Sequence, residues 1–408
     1  MTTDTLSNPR TKSICFPCES EAEYRHAVEN HAQMRQLLMH SYNEFPELFP
    51  TAFAGGFTWH DKYHSRKLNV TLRRICLHTT GDIFLVRPSC YLPYAVARTE
   101  EIEKALYLRQ WNVPFEALAY VFGRDAMYYY RAWASWGRNS LVGTTVKDPA
   151  RLPAHLVADE KHTWRTGEKQ YLATTVGGGC ILGAELVSES TTAGLTQAYG
   201  VFAAEAREVA AEYAPVSVCT DGWAATRAAW RALYPGLTLV LCFLHGVLKI
   251  RERCAEGLRR EVLKRAWEVY GGATKRSFSQ RMRRFKEWGQ KKLSGAVLVA
   301  VVKLSARTKD YLPAYEVPGA ARTSNQVDRL MDYQDRGLYQ MKYLHGSRES
   351  GNLLVRAQAL HWNFHPYGER AQAKGADKSA FAGLNGFQYH PNWLHNLLCA
   401  SSLGGRRR

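Results

Sequence analysis

Apolar residues recur along this chain at two periods, and the switches between them outline its parts. Positions 20–42 carry apolar and aromatic residues at helical spacing, which predicts a helix. Positions 67–92 alternate, with Leu68, Val70 and Leu72 followed by Ile83 and Leu85, and predict a small β element closed by Pro88 and Pro93. The helical period returns over 98–136. Thr99-Glu100-Glu101 starts one helix, Pro114 opens a short one over 115–122, Gly123 breaks it, and Asp125 starts a third that runs to Trp136.

From residue 155 the period is that of strands. Runs at 155–164, 170–177 and 180–187 are joined by Arg165-Thr166-Gly167 and Gly177-Gly178-Gly179. A helix over 196–213, a strand at 216–219, a helix at 224–234 and a strand at 237–243 follow. The order β-β-β-α-β-α-β is that of an RNase H-like fold. The expected class is therefore α/β, an RNase H-like catalytic core with a helical insertion. Three divisions are expected: a mixed α/β region over 1–95, a helix-turn-helix over 96–150, and the core over 151–400, interrupted by helices at 246–320. Segments 360–367 and 386–397, rich in aromatic and polar residues, are expected to pack the last helices over the sheet. The triple glycine lacks a following Lys-Ser/Thr and is a strand-to-strand turn, not a phosphate loop.

Charge adds a partner to this outline. The formal net charge is +17 over 408 residues, which favours a polyanion, nucleic acid before a membrane surface. No apolar run is long enough for a membrane span, and the polar start lacks a signal-peptide core, so an intracellular, cytoplasmic protein is expected. The nine cysteines are then expected to be free thiols. Cys15-Phe16-Pro17-Cys18 has the spacing of half a zinc knuckle, with His60 and His64 as candidates to complete it. Two stretches suit double-stranded DNA. The third helix of the 96–150 region, with Arg124, Tyr128 and Arg131, fits a reader of the groove. Lys275, Arg276, Arg283, Arg284 and Lys286, interleaved with Phe278, Phe285 and Trp288, suit backbone contact with base stacking.

A nucleic-acid enzyme on such a sheet would need acids that converge at strand ends, because phosphodiester chemistry uses two divalent cations and Mg²⁺ prefers carboxylate oxygens. Asp159 follows Leu156-Val157-Ala158 on an otherwise apolar strand, where an unpaired carboxylate is costly. Its neighbour Glu160 should point to the other face by alternation. Asp221 closes the fourth strand after Val218-Cys219-Thr220, and the first and fourth strands are neighbours in this order. A third acid comes from a helix capped by Thr323 or Ser324, where Asp328, Asp332 and Asp335 share one face and spacing does not choose among them. Cys242 and His245 alone do not close a zinc site.

Two further motifs carry a family resemblance. Cys242-Phe243-Leu244-His245 follows the second aspartate, a helical insertion comes next, and Thr323-Ser324-Asn325-Gln326-Val327-Asp328 follows that. In this order, over about residues 155–335, the chain resembles the DDE-class transposases of bacterial insertion sequences, in their Mutator-like branch. The resemblance implies metal-dependent DNA cleavage and strand transfer with two Mg²⁺ or Mn²⁺ ions held by Asp159, Asp221 and Asp328. It favours Asp328 over Asp332 and Asp335, although the family usually has glutamate there. It places Cys242 and His245 close to the site in a structural or DNA-proximal role, and implies a homodimer or larger assembly on DNA, nucleoid-associated when bound. Two other functions compete: a domesticated, catalytically silent DNA-binding protein, and an RNase H-like nuclease without strand transfer.

Overall fold

Asparagine at position 30 divides the first helical stretch. Its extended backbone ends Glu21–Glu29, and its side chain accepts from Ala32 N at 2.9 Å to start His31–Glu44. The single helix expected over 20–42 is thus two. The computed structural model describes residues 12–93 and 97–406. Most of the polar start read above lies outside the described residues. The alternating segments form β3 (Val70–Leu77) and β4 (Ile83–Pro88) of a four-stranded sheet, with β1 (Ser13–Phe16) and β2 (Phe57–Ser65) in the order β1-β4-β3-β2. The sequence reading missed β1, which is only four residues long, and β2, an edge strand that buries little besides Phe57.

Three short helices follow, Thr99–Tyr107, Phe115–Phe122 and Ala126–Ala134. Gly123 turns the chain at φ 75° and Asp125 caps the third helix, accepting from Met127 N. Their buried faces, among them Leu106, Leu118 and Trp133, join one core with the first sheet and with one face of the second.

The second sheet is built from β5 (His155–Arg165), β6 (Glu168–Gly177), β7 (Cys180–Val187), β8 (Ser217–Thr220) and β9 (Thr238–Leu241), in the order β7-β6-β5-β8-β9. β5, β6 and β7 are antiparallel neighbours, and β5, β8 and β9 run parallel. Helices Thr192–Val209 and Ala224–Leu233 make the two crossovers. Alternation separates the faces. Leu156 and Ala158 pack with Tyr199, Phe202 and Trp230 under the crossover helices. Val157 and Leu172 face the opposite way, into a core with Val327, Leu330 and Leu360. The fold is mixed α/β.

β9 ends earlier than the apolar run suggests: Cys242 caps, and Phe243 begins, the helix Phe243–Arg253. That helix packs with Glu256–Tyr270, Lys275–Lys292 and Gly295–Ala306 around a separate core. The chain then returns as Asn325–Gln340 along β5 and β6, and Arg348–Phe364 packs on β7. Segment 386–397 does not lie over this sheet as expected. Helix Trp393–Ala400 sits against β1 and the first of the three short helices, where Ser89 Oγ and His395 Nδ1 are 2.9 Å apart. Among the described residues no helix is long and apolar enough to cross a membrane.

Candidate active site

The site is set by register. β5 and β8 pair as His155↔Ser217, Leu156↔Val218 and Val157↔Cys219, so two residues farther on Asp159 and Asp221 stand level at the same sheet end. Asp159 is 8% exposed and its Oδ1 accepts from the Glu160 amide at 2.8 Å. Asp221 lies just past β8, and its Oδ1 accepts from Trp223 N at 2.7 Å. Gly222 between them has φ 87°, and a Cβ there would come 2.3 Å from Leu241 Cδ1. The turn that presents Asp221 therefore requires glycine.

The third acid is separated from its neighbours by position along β5. Asp328 stands in the first turn of Asn325–Gln340 beside Asp159, whereas Asp335 and Asp332 lie 3.2 and 4.0 Å from Lys161, two residues farther along the strand. Ser324 occupies the cap position of that helix, but its hydroxyl makes no cap bond. It donates instead to Asp328 Oδ2 at 3.1 Å, and lies 3.1 Å from Cys242 Sγ and 3.4 Å from His245 Nδ1.

Two groups of ligand atoms result, each with all members within 4.8 Å of one another: Asp159, Glu160 and Asp221, and Asp159, His245 and Asp328. Asp159 belongs to both. Glu160 is on the opposite face, as alternation predicts, where Tyr199 and Thr226 hydroxyls each donate to its Oε1 at 2.7 Å. Its Oε2 is buried with no hydrogen-bond partner. The sequence reading passed over Glu160 because it lies on the other face, yet at a sheet end both faces reach the same space. The signal was present: the argument that an acid on an apolar strand is costly applies to Glu160 as it does to Asp159.

Electrostatics mark the cluster as short of positive charge. Burial pushes the Asp159 carboxyl up to about 7, with Asp221 and Asp328 adding repulsion and His245 opposing it. Burial raises Glu160 to about 7 as well, against the Tyr199 and Thr226 hydrogen bonds, and also raises Asp328. His245 Nε2 lies 3.5 Å from Asp159 Oδ2. The Cys242 thiol holds the imidazole protonated up to about 9, while Cys219 and then His245 and Ser324 hold Cys242 down to about 4. Cys219 correspondingly moves well up. Cys242 and His245 thus form a thiolate–imidazolium pair, with His245 in the site and Cys242 behind it. An oxygen-rich cluster of this kind, with one orphaned carboxylate oxygen, fits a hard divalent cation.

The proposed DNA contacts fall elsewhere. Arg124 and Arg131 are exposed, and Arg124 pairs with Glu101 at 3.4 Å and covers the half-buried Tyr128 ring. On Lys275–Lys292, Arg276, Arg283 and Arg284 are exposed, Lys286 is half-exposed, and Lys275 pairs with Glu316. The base-stacking part of that expectation is corrected: Phe278 and Phe285 are buried in the insertion core, and Trp288 stacks on Phe285. The zinc knuckle is not assembled either. The Cys15 and Cys399 thiols are free and hydrogen-bonded to each other, the Cys18 thiol donates to Ser20 O, and no group of three ligands among the described residues includes Cys15 or Cys18. A cleft of about 520 Å³ between helices Phe115–Phe122 and Ala126–Ala134 and segment 340–345 is lined by none of Asp159, Glu160, Asp221 and Asp328. No protein-family model and no curated protein matches the chain.

Proposed function

We propose that the chain is a metal-dependent enzyme that cuts and joins DNA, a DDE-class transposase on an RNase H-like core, with the three short helices at 99–134 as a helix-turn-helix. The observation that carries this reading is the meeting of Asp159, Asp221 and Asp328, from three separate chain segments, around one end of a five-stranded sheet. The strand order, the insertion after Cys242 and His245, and the net charge of +17 agree with it.

Asp159 would be shared between two cations, Glu160 and Asp221 would complete one ligand set, and Asp328 the other, with the His245 imidazolium beside it as a charged hydrogen-bond donor. Mg²⁺ or Mn²⁺ bound there would neutralise charge on the scissile phosphate and on the attacking and leaving oxygens. His245 keeps a proton on Nε2 beside Asp159 through its Cys242 partner, so one carboxylate is compensated before any cation arrives. The reaction breaks one phosphodiester bond by water to free a 3′-OH, and that hydroxyl then forms a new bond as it displaces another in target DNA.

The test is cleavage and joining of a plasmid carrying the DNA that flanks the chain's own gene. The wild-type chain should nick it only with Mg²⁺ or Mn²⁺ and yield joined donor–target products. Asp159→Asn should abolish both and leave duplex binding intact. Cleavage without joined products would indicate a nuclease, and duplex binding without cleavage a silent DNA-binding protein. A variant that cuts like the wild type would sink the site assignment.

A further inference from the structure

β5 and β6 remain paired as far as Arg165↔Glu168, but their neighbour β8 stops at Thr220, so the β5–β6 hairpin overhangs the sheet end that holds the acids. One face of the overhang is covered. Helix Asn325–Gln340 lies on it through Lys161–Asp335 and through Thr174 Oγ1 donating to Gln334 Oε1 at 3.2 Å, and Leu344 N donates to Trp164 O at 3.0 Å. Thr163, Gln170 and Leu172 are buried beneath it. On the other face the crossover helices reach Glu160 through Tyr199 and Thr226, and Tyr171 packs on the edge of their core with its hydroxyl bonded to Ser190. Beyond them His162, Trp164 and Lys169 are exposed and Tyr171 is half-buried.

These side chains form a line that begins at the acids. Trp223, two residues after Asp221 and donating its amide to that carboxylate, is 36% exposed, and its ring centroid is 6.1 Å from Tyr171. Tyr171 is 4.9 Å from His162, and Lys169 Nζ lies 5.2 Å over the Tyr171 ring. Trp164, 45% exposed, is the cross-strand partner of Lys169. Cross-strand pairing accounts for His162 with Tyr171 and for Trp164 with Lys169 as sheet stabilisation. It does not account for Trp223, which belongs to a loop and pairs with no strand. Large exposed rings in a contiguous row leave apolar surface in water that a partner would cover.

We propose that this bare face of the β5–β6 hairpin, from Trp223 through Tyr171 and His162 to Trp164, is a stacking track for unpaired nucleotides of a DNA strand whose backbone enters the acid cluster. The proposal rests on the reading of that cluster as a nucleic-acid site and adds which form of the substrate it grips. Stacking needs free base faces, which a duplex hides in its own stack and a single strand offers whatever its sequence. Lys169 supplies a cation for the backbone alongside the rings. The track differs from the basic helix Lys275–Lys292, whose charges are exposed but whose Phe278 and Phe285 are buried and cannot stack on bases.

The test uses the full chain in EDTA, so that binding is read without chemistry, with a fluorescein-labelled short oligothymidylate and a blunt duplex of the same length. Trp223→Ala and Tyr171→Ala should each weaken oligothymidylate binding about tenfold and change duplex binding less than about twofold. Trp223→Phe and Tyr171→Phe, which keep a ring, should retain most of the affinity. Oligothymidylate should quench the tryptophan fluorescence of the wild type more than that of Trp223→Phe. Unchanged single-strand affinity in the alanine variants, or an equal loss on duplex, would overturn the track and leave the acid cluster as it is. A wild-type chain that binds neither DNA would overturn the nucleic-acid reading itself.

Discussion

Two groups of carboxylates gather at the second sheet, and their countercharges differ. At the edge strand, Glu185 of β7 and Glu205 of helix Thr192–Val209 share the Arg356 guanidinium. Arg356 Nη1 donates to Glu185 at 2.6 Å, and its remaining donors reach Gly137 O and Asn139 O, tying the sheet to the chain just after the three short helices. On central β5, beside the end of β8, Asp159, Glu160, Asp221 and Asp328 gather around one imidazolium. The first group is a finished structural joint. The second leaves a carboxylate oxygen without a partner and holds Asp159 and Glu160 near 7, as acids short of a cation are held. Buried acids alone do not signal function; buried acids without matching cations do.

The largest effect should come from breaking the finished joint. Arg356→Met strands two buried carboxylates and two backbone carbonyls, and should lower the unfolding free energy by about 3–5 kcal/mol. Urea unfolding followed by circular dichroism would measure it. A loss below about 1 kcal/mol would mean that Arg356 is not the joint described.

The same kind of charge removal should act in the opposite direction at the acid cluster. The Asp159 carboxyl titrates near 7 in the folded chain and near 3.9 when unfolded. Its contribution is fully present below about pH 4 and is lost as pH rises through about 7, because the unfolded chain gives up the proton first. The Cys242 thiolate, depressed to about 4, acts with the opposite sign over the same range, so the quantity to measure is the difference between two proteins. In EDTA, Asp159→Asn should be more stable than the wild type by about 1–3 kcal/mol at pH 8, and the gap should shrink towards pH 5. Millimolar Mn²⁺ at pH 8 should raise the wild-type Tm and leave the variant's nearly unchanged. A variant less stable than the wild type in EDTA at pH 8 would place Asp159 with Glu185 and Glu205, as a satisfied structural acid.

The two groups were not equally legible in the sequence. Asp159 and Asp221 could be read from strand ends, because alternation and strand order fix which acids meet. Glu160 was legible in type and missed in place, since both faces of the sheet meet the same space where β8 ends. Arg356 was invisible, because its partners lie 171 and 151 residues away and nothing local marks an arginine as buried. In the insertion, Phe278 and Phe285 read as companions of the basic residues, but helical spacing turns both inward into the insertion core, Phe278 against Phe243 and Tyr311, and only packing reveals that. Asn30 divided a helix that periodicity alone ran together, since a capping side chain leaves the apolar pattern unchanged.

The smallest expected effect sharpens the boundary of the cation-poor group. Three aspartates share one face of Asn325–Gln340, and the geometry separates them: Asp328 faces Asp159 and His245, whereas Asp335 and Asp332 face Lys161. Asp332 is 78% exposed and Asp335 43% exposed, so their pairs with Lys161 are screened by solvent and contribute little. Asp335→Asn should therefore change stability by less than about 0.5 kcal/mol. It should also leave the Mn²⁺-induced rise in Tm at its wild-type size. Asp328→Asn, neutralising the acid in the first turn of that helix beside Asp159, should shrink that rise. If Asp335→Asn removed the Mn²⁺ response and Asp328→Asn kept it, the third ligand would lie beside Lys161. The cluster would then extend along β5 instead of closing at its junction with β8.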